Sequence, residues 1–513
     1  MVSFLGKSPR LHAIAVFVIT MMAPVTALSD ETALWPTDGW ETVAPEALGL
    51  DSGKLADALT EIRRRKLNIH SLALVRHGKF GLNVAFYPYD GTRPHNLASV
   101  TKSVMTTLIA IAADQGKLDL DQPALSFFPG RSIANRDARK EGITVRHLTG
   151  MSSGLRCIGE NDEPTLHEMN ASPDWVQFTL DLPMAAEPGT VFSYCSPGMH
   201  LLSAILQEAA GMTTLDFARE NLFGPLGIRE VMWPADPQGV NHGWGDLFLY
   251  PEDAAKVGYL WMHGGEWEGR QIVSRKWVEE SSHAQIRTGP YWGDDYGYGW
   301  WIMTGEDIPQ YAASGRGGQR IGVFPALDIV VVTTGGGFEP GEATDLLATA
   351  FTSPEQPLPP DPEGEAKLKA AIDALAVPPE PTPVEPLPPV ATEVSGRVYR
   401  FPSNPLGLAS MRLDFNGSAE ARLVRTFHDG QPQRDGAVGL DGVLGMSPGE
   451  DDIPAGMRGR WIDGATFQVE YDAVTYIDAI DLRARFAGDE VTVYAKDRTY
   501  ATGVTFVGKA DGG

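Results

Sequence analysis

The chain has 513 residues with 42 basic and 66 acidic side chains, a formal net charge of −24. Such a field repels phosphate and excludes nucleic-acid binding by bulk charge. Its 43% hydrophobic content can fill the cores of about two or three domains. The only cysteines, Cys157 and Cys195, exclude a disulfide-dense scaffold, a zinc ribbon and an iron–sulfur site, and leave room for a single disulfide.

At the N-terminus Lys7 and Arg10 precede an apolar run, Ile14 to Ala27, interrupted by Pro24 and closed by the small-residue pattern Val25-Thr26-Ala27. This reads as a secretory signal, residues 1–27, cleaved after Ala27. The run is shorter than the roughly 20 residues that span a bilayer. A periplasmic or secreted protein with no stable membrane insertion after cleavage is expected, in a compartment where a disulfide persists.

Residues 38–352 mix helical and β-rich patterns. The clearest helix is Val100 to Gln115, where Val104, Leu108 and Ile111 share one face and Gly116 provides the stop. Leu201 to Ala210 repeats the pattern before Gly211. Ser71 to Arg76 and Ile329 to Thr334 read as strands of one sheet. Residues 353–392 form a linker: 12 of the 38 prolines lie between Pro354 and Pro389. Within it Glu365 to Ala376 is a short helix whose Leu368, Ile372 and Leu375 face a neighbouring domain. Residues 393–513 change to short alternating segments, among them Arg397 to Phe401, Met411 to Phe415, Phe467 to Tyr471 and Val491 to Tyr494. Asn416-Gly417, Asp429-Gly430 and Asp463-Gly464 supply the turns, so an all-β barrel or sandwich is expected.

The strongest chemical signal is Ser99-Val100-Thr101-Lys102 at the start of the clearest helix. Positions i and i+3 share a face, so the Lys102 amine falls beside the Ser99 hydroxyl. A helix N-terminus also directs its dipole at a developing anion, and the Ser99 N–H can serve an oxyanion hole. On spacing alone, Ser99 as a helix cap and Lys102 as a surface amine is the better explanation of the pattern.

Further stretches change that balance. Leu97 through Asp121 resembles the first motif of the class C β-lactamase-related serine hydrolases, a family that includes penicillin-binding carboxypeptidases, esterases and 6-aminohexanoate-dimer hydrolases. His147-Leu148-Thr149-Gly150-Met151-Ser152-Ser153-Gly154-Leu155, Phe192-Ser193-Tyr194-Cys195-Ser196 and Tyr296-Gly297-Tyr298-Gly299-Trp300-Trp301 follow in the family's order. The resemblance implies an α/β (α+β) domain with an antiparallel sheet flanked by helices. It also implies that Ser99 attacks a carbonyl, Lys102 keeps the serine proton mobile and Tyr194 relays a proton to the leaving group. Either Lys102 or Tyr194 can be the base, the tyrosine only if nearby cations lower its pKa from about 10.

Two departures stand out. The family's Tyr-x-Asn is Tyr194-Cys195-Ser196 here, so Ser196 offers a hydroxyl where an amide is usual. No Lys-Thr-Gly is present; its positional equivalent is Ala313-Ser314-Gly315-Arg316, where Gly315 or Arg316 would lend an oxyanion N–H and Arg316 could clamp an anion. A tight glycine turn is the plain alternative. A Cys157–Cys195 bridge would staple two site segments and contribute about 3–4 kcal/mol by loop closure; two unpaired thiols are the other possibility. The resemblance implies a structural role under the site for His147, and His242 lies in a glycine-rich turn that could face substrate.

No metal or other cofactor is expected. The expected function is hydrolysis of a small ester, linear amide or peptide through an acyl-enzyme on Ser99. The alternatives are a β-lactamase or D-Ala-D-Ala carboxypeptidase, and a noncatalytic penicillin-binding-like sensor or wall-binding protein.

Overall fold

Alternation within two strands sets the architecture. In the strands Ile69–Arg76 and Ile329–Gly335, Ala73, Val75, Val330 and Val332 enter one hydrophobic core, while Leu72, Leu74, Ile329 and Val331 enter a second on the opposite face. A sheet buried on both faces needs apolar residues at both parities, which is why these segments read as continuous runs. The computed structural model describes residues 35–160, 162–305, 308–353, 356–449, 453–500 and 502–511. The expected signal segment, 1–27, lies outside them.

In chain order the elements that position the site are α1 (Ser52–Arg65), β1 (Ile69–Arg76), β2 (Lys79–Ala85), α2 (Val100–Asp114), α3 (Ser196–Ala210), α4 (Pro251–Met262), β3 (Gln310–Gly315), β4 (Gln319–Phe324) and β5 (Ile329–Gly335). The sheet runs Glu41–Thr42, β2, β1, β5, β4, β3, Trp301–Met303, Asp295–Tyr296, Ile286–Arg287. Its pairs are antiparallel except the parallel contact of Glu41–Thr42 with β2. On one face α1 packs with α5 (Pro362–Leu375), whose Leu368 and Leu375 are buried beside Leu59 and Ile62. On the other lie α2, α3 and α4.

Two helices differ from the sequence expectation. α2 is buried on every side from Val100 to Ala112, not on one face. Its hydroxyls permit this because each finds a partner: Ser103 donates to the Gly299 carbonyl at 2.5 Å, Thr107 to that of Ser103 at 2.8 Å and Thr101 to that of Ala98 at 2.6 Å. α3 starts five residues before the expected Leu201, because Pro197 sits in the first helical turn, where a missing N–H costs nothing.

Residues 398–510 carry ten strands, among them β6 (Thr466–Ala473), β7 (Ala479–Ala487), β8 (Glu490–Asp497) and β9 (Val504–Ala510). Antiparallel pairing continues around the sheet until Gly439 meets Arg458 in parallel, closing a ring of nine with Gly445–Pro448 alongside. The choice between barrel and sandwich thus resolves to a barrel, filled by Tyr399, Met411, Phe467, Phe486 and Val493. Barrel and α/β domain belong to one compact unit. Among the described residues no helix is long and apolar enough to cross a membrane.

Candidate active site

Ser99 caps α2 immediately after Ala98, which holds a left-handed φ of 46°. The Ala98 N–H donates to Asn96 Oδ1 at 2.6 Å, fixing the turn that presents the serine. Lys102 Nζ lies 2.7 Å from Ser99 Oγ and donates to the Trp244 carbonyl at 2.7 Å. Lys102 is only 2% exposed, which excludes the surface-amine alternative. Burial pulls its pKa down to about 8, partly offset by the charges of Glu163 and Asp246. A useful fraction is therefore a neutral amine near neutrality.

Tyr194 is buried beside this pair, with Lys102 Nζ 4.7 Å from its ring centroid. The condition for Tyr194 as a base is not met. Burial, reinforced by the charges of Glu163 and Tyr296, drives its pKa well above 10, and its hydrogen bond with Ser99 offsets this only in part. Tyr194 is a phenol that can donate or relay a proton, and Lys102 is the better acceptor. The Tyr194 ring packs 5.0 Å from Trp292 and 6.2 Å from Trp301, and Phe192 extends this aromatic wall.

Ser196 does not face an open site: its Oγ donates to Glu163 Oε2. Glu163 sits at φ 46° just before Pro164, a strained conformation for this position. It makes no ion pair with a lysine or arginine among the described residues, although its charge reaches Lys102, Tyr194 and Tyr500. Cys157 and Cys195 are disulfide-bonded, tying the chain at Cys157 to the start of α3. Gly159 completes this contact, since a Cβ there would lie 2.0 Å from the Tyr194 carbonyl oxygen.

Gly315 ends β3 against the Ala98–Ser99 turn. A Cβ at this position would lie 2.6 Å from the Leu97 carbonyl oxygen and 2.9 Å from the Ser99 nitrogen. Only a glycine allows that approach, so the plain turn reading omits what the residue does. The Arg316 guanidinium, by contrast, turns away from any anion clamp. It donates to Thr499 Oγ1, pairs with Asp478 at 3.3 Å and Asp497 at 3.6 Å, and lies 4.2 Å from the Tyr500 ring centroid. All four partners belong to the barrel, so the guanidinium is held there.

His147 caps its own short helix, its Nδ1 accepting from the Thr144 N–H at 3.2 Å. His242 Nδ1 lies 3.0 Å from Asp246 Oδ2, and its ring is enclosed by Trp175 and Trp244. The loop carrying it thus supports Lys102 from below through the Trp244 carbonyl. Sequence reasoning missed Glu163, Asp246, Asn96 and the barrel residues Tyr476, Asp478 and Tyr500. All but Asn96, three positions before Ser99, reach the site across a long separation, and among those Asp162-Glu163-Pro164 carries a local signal, that of a turn.

These features place a serine hydroxyl beside a desolvated lysine and a phenol, on an α/β domain of antiparallel sheet and helices. The chain belongs to the β-lactamase family, whose model matches residues 62–351. Among curated relatives it is 24% identical to penicillin-binding protein 4 of Amycolatopsis lactamdurans over 56% of this chain and 81% of that protein. It is likewise 24% identical to the 6-aminohexanoate-dimer hydrolase of Paenarthrobacter ureafaciens, over 46% of this chain and 65% of that enzyme. Among solved structures, the octameric penicillin-binding protein homologue from Pyrococcus abyssi aligns with TM-score 0.48 and 19% identity over 89% of this chain and all of that one. The family and relatives such as esterase EstB of Burkholderia gladioli are hydrolases of the serine β-lactamase fold.

Proposed function

We propose that this protein is a secreted or periplasmic serine hydrolase that opens small esters or linear amides through an acyl-enzyme on Ser99. The observation that carries the reading is Lys102 Nζ at 2.7 Å from Ser99 Oγ in a site dry enough to bring the amine down to about 8. Neutral Lys102 accepts the serine proton as Oγ attacks the carbonyl carbon. Backbone N–H groups of Ser99 and the Gly315–Arg316 segment receive the developing oxyanion. The Tyr194 phenol passes a proton to the departing alcohol or amine, and water then reverses the sequence to free the acid. The disulfide supports an oxidising compartment.

Charge favours this reading over a penicillinase or carboxypeptidase. Those substrates carry a carboxylate, yet Ala313 stands where the third motif places lysine, the Arg316 side chain is held by the barrel, and the Glu163 carboxylate lies within electrostatic reach of Lys102. Repulsion of that order changes rates by about tenfold or more. Steady-state kinetics on p-nitrophenyl butyrate, its ω-carboxylate analogue and a chromogenic cephalosporin test the reading. The neutral ester is expected to exceed both anionic substrates in kcat/KM by at least about tenfold, and Glu163→Gln to narrow the gap. A cephalosporin turned over as fast as the ester would overturn it in favour of a β-lactamase, and acylation without turnover would favour a sensor.

A further inference from the structure

The barrel is joined to the nucleophile by a buried chain of hydrogen bonds whose proton count closes in one way. Asp472 on β6 lies with Oδ1 3.2 Å from Nε2 of His70 on β1. His70 Nδ1 is 2.8 Å from His95 Nε2, and His95 Nδ1 is 2.8 Å from the Asn96 carbonyl. Both rings are fully buried. Asn96 is also the residue that takes the Ala98 N–H ahead of Ser99, and its amide donates to Asp246 Oδ1 at 3.0 Å. Two more barrel groups converge there: the Thr475 carbonyl accepts the Asn96 N–H at 2.9 Å, and the Tyr476 hydroxyl donates to Asp246 at 3.2 Å.

A carbonyl only accepts, so His95 carries its proton on Nδ1 and, when neutral, leaves Nε2 bare. His70 must then donate from Nδ1. A neutral His70 would face Asp472 with a lone pair at 3.2 Å, so a second proton is required between them. Two directions agree with this count. Burial, with His70 opposing charge, pulls the His95 pKa down to about 3. Burial pushes Asp472 up, but His70, the Arg498 guanidinium and the Asn68 amide outweigh it and hold the carboxyl below its usual range. The count leaves one proton shared between His70 Nε2 and Asp472, and a carboxyl held below its usual range yields that proton to the ring.

We propose that Asp472 is a positioning residue for Ser99: its carboxylate keeps His70 doubly protonated and, through the bond at Nε2, holds the ring with Nδ1–H on His95, and this bonded chain steadies the Asn96 backbone and the Ala98–Ser99 turn. The barrel thereby completes the catalytic turn as well as adjoining it. The inference rests on Ser99 as the nucleophile, and its test has one arm that does not.

In the first arm, nitrogen NMR of histidine-labelled full-length protein at neutral pH reads the ring nitrogens, with His70→Gln and His95→Gln variants supplying assignments. The expected result is His70 with both nitrogens protonated and His95 protonated on Nδ1 alone. A neutral His70 would overturn the proposal, whatever the variants do. In the second arm, Asp472→Ala is expected to slow fluorophosphonate labelling of Ser99 by about tenfold or more, as a displaced nucleophile does. Asp472→Asn is expected to restore labelling to within about threefold, because its amide N–H can meet the bare Nε2 of a neutral His70, with loss of the imidazolium signal. Wild-type labelling rates in a folded Asp472→Ala protein would contradict the proposal. Failure of wild-type protein to label at all would sink the nucleophile reading instead, and the first arm would still report on His70.

Discussion

Replacing Lys102 with methionine is expected to lower kcat/KM for an activated ester by about 10²–10⁴-fold, the range associated with loss of a positioned general base. Methionine nearly matches the lysine stem in shape and removes an amine that burial has made costly to charge. The melting temperature should therefore hold or rise while activity falls, separating chemistry from folding. The pH profile gives an independent reading. The amine serves as base when unprotonated, so wild-type kcat/KM should climb as pH rises through about 8 and level off above it. The variant should lose that limb. Because the folded pKa lies below the ordinary lysine value, the unfolded chain binds more protons between the two, and wild-type stability should rise with pH over that window. A variant that keeps the rising limb would assign it to another group.

Gly315→Ala should cost about a hundredfold in kcat/KM, the scale of an ångström-sized misplacement at a reacting centre. The added Cβ meets backbone, the Leu97 carbonyl oxygen at 2.6 Å and the Ser99 nitrogen at 2.9 Å, so relief requires the nucleophile turn or β3 to move. Gly130→Ala is the matched control, with nothing within 4 Å of its added carbon. The loss should fall on kcat, with substrate KM changed little, because the displaced group is the attacking one. Equal activity of the two variants would show that β3 is not held against Ser99.

What the sequence revealed and what it withheld follow from the range of the forces involved. The Ser99–Lys102 pair was legible because one helical turn fixes it, and the barrel strands because alternation and turn dipeptides are local. The burial of α2 on all sides was not legible: Ser103, Thr106 and Thr107 look like an exposed face until their carbonyl partners are known. Glu163 was hidden for the same reason, since its value to the site depends on Ser196, 33 positions away. Arg316 was legible as a cation beside the site but not as one neutralised by Asp478 and Asp497, which stand more than 160 residues further on. Tyr194 shows the limit for electrostatics. Its neighbouring lysine was foreseen, but the burial that overrides it depends on Trp292 and Trp301, brought in by the far edge of the sheet.

The central claim is that Ser99 is a nucleophile set against Lys102. Intact mass spectrometry of the protein and of Ser99→Ala after exposure to a fluorophosphonate tests it most directly. The account predicts one phosphonyl adduct on the wild type, mapped to Ser99, and none on the variant, with circular dichroism of both unchanged. An adduct that persists in Ser99→Ala, or a folded wild type that takes none, would contradict it.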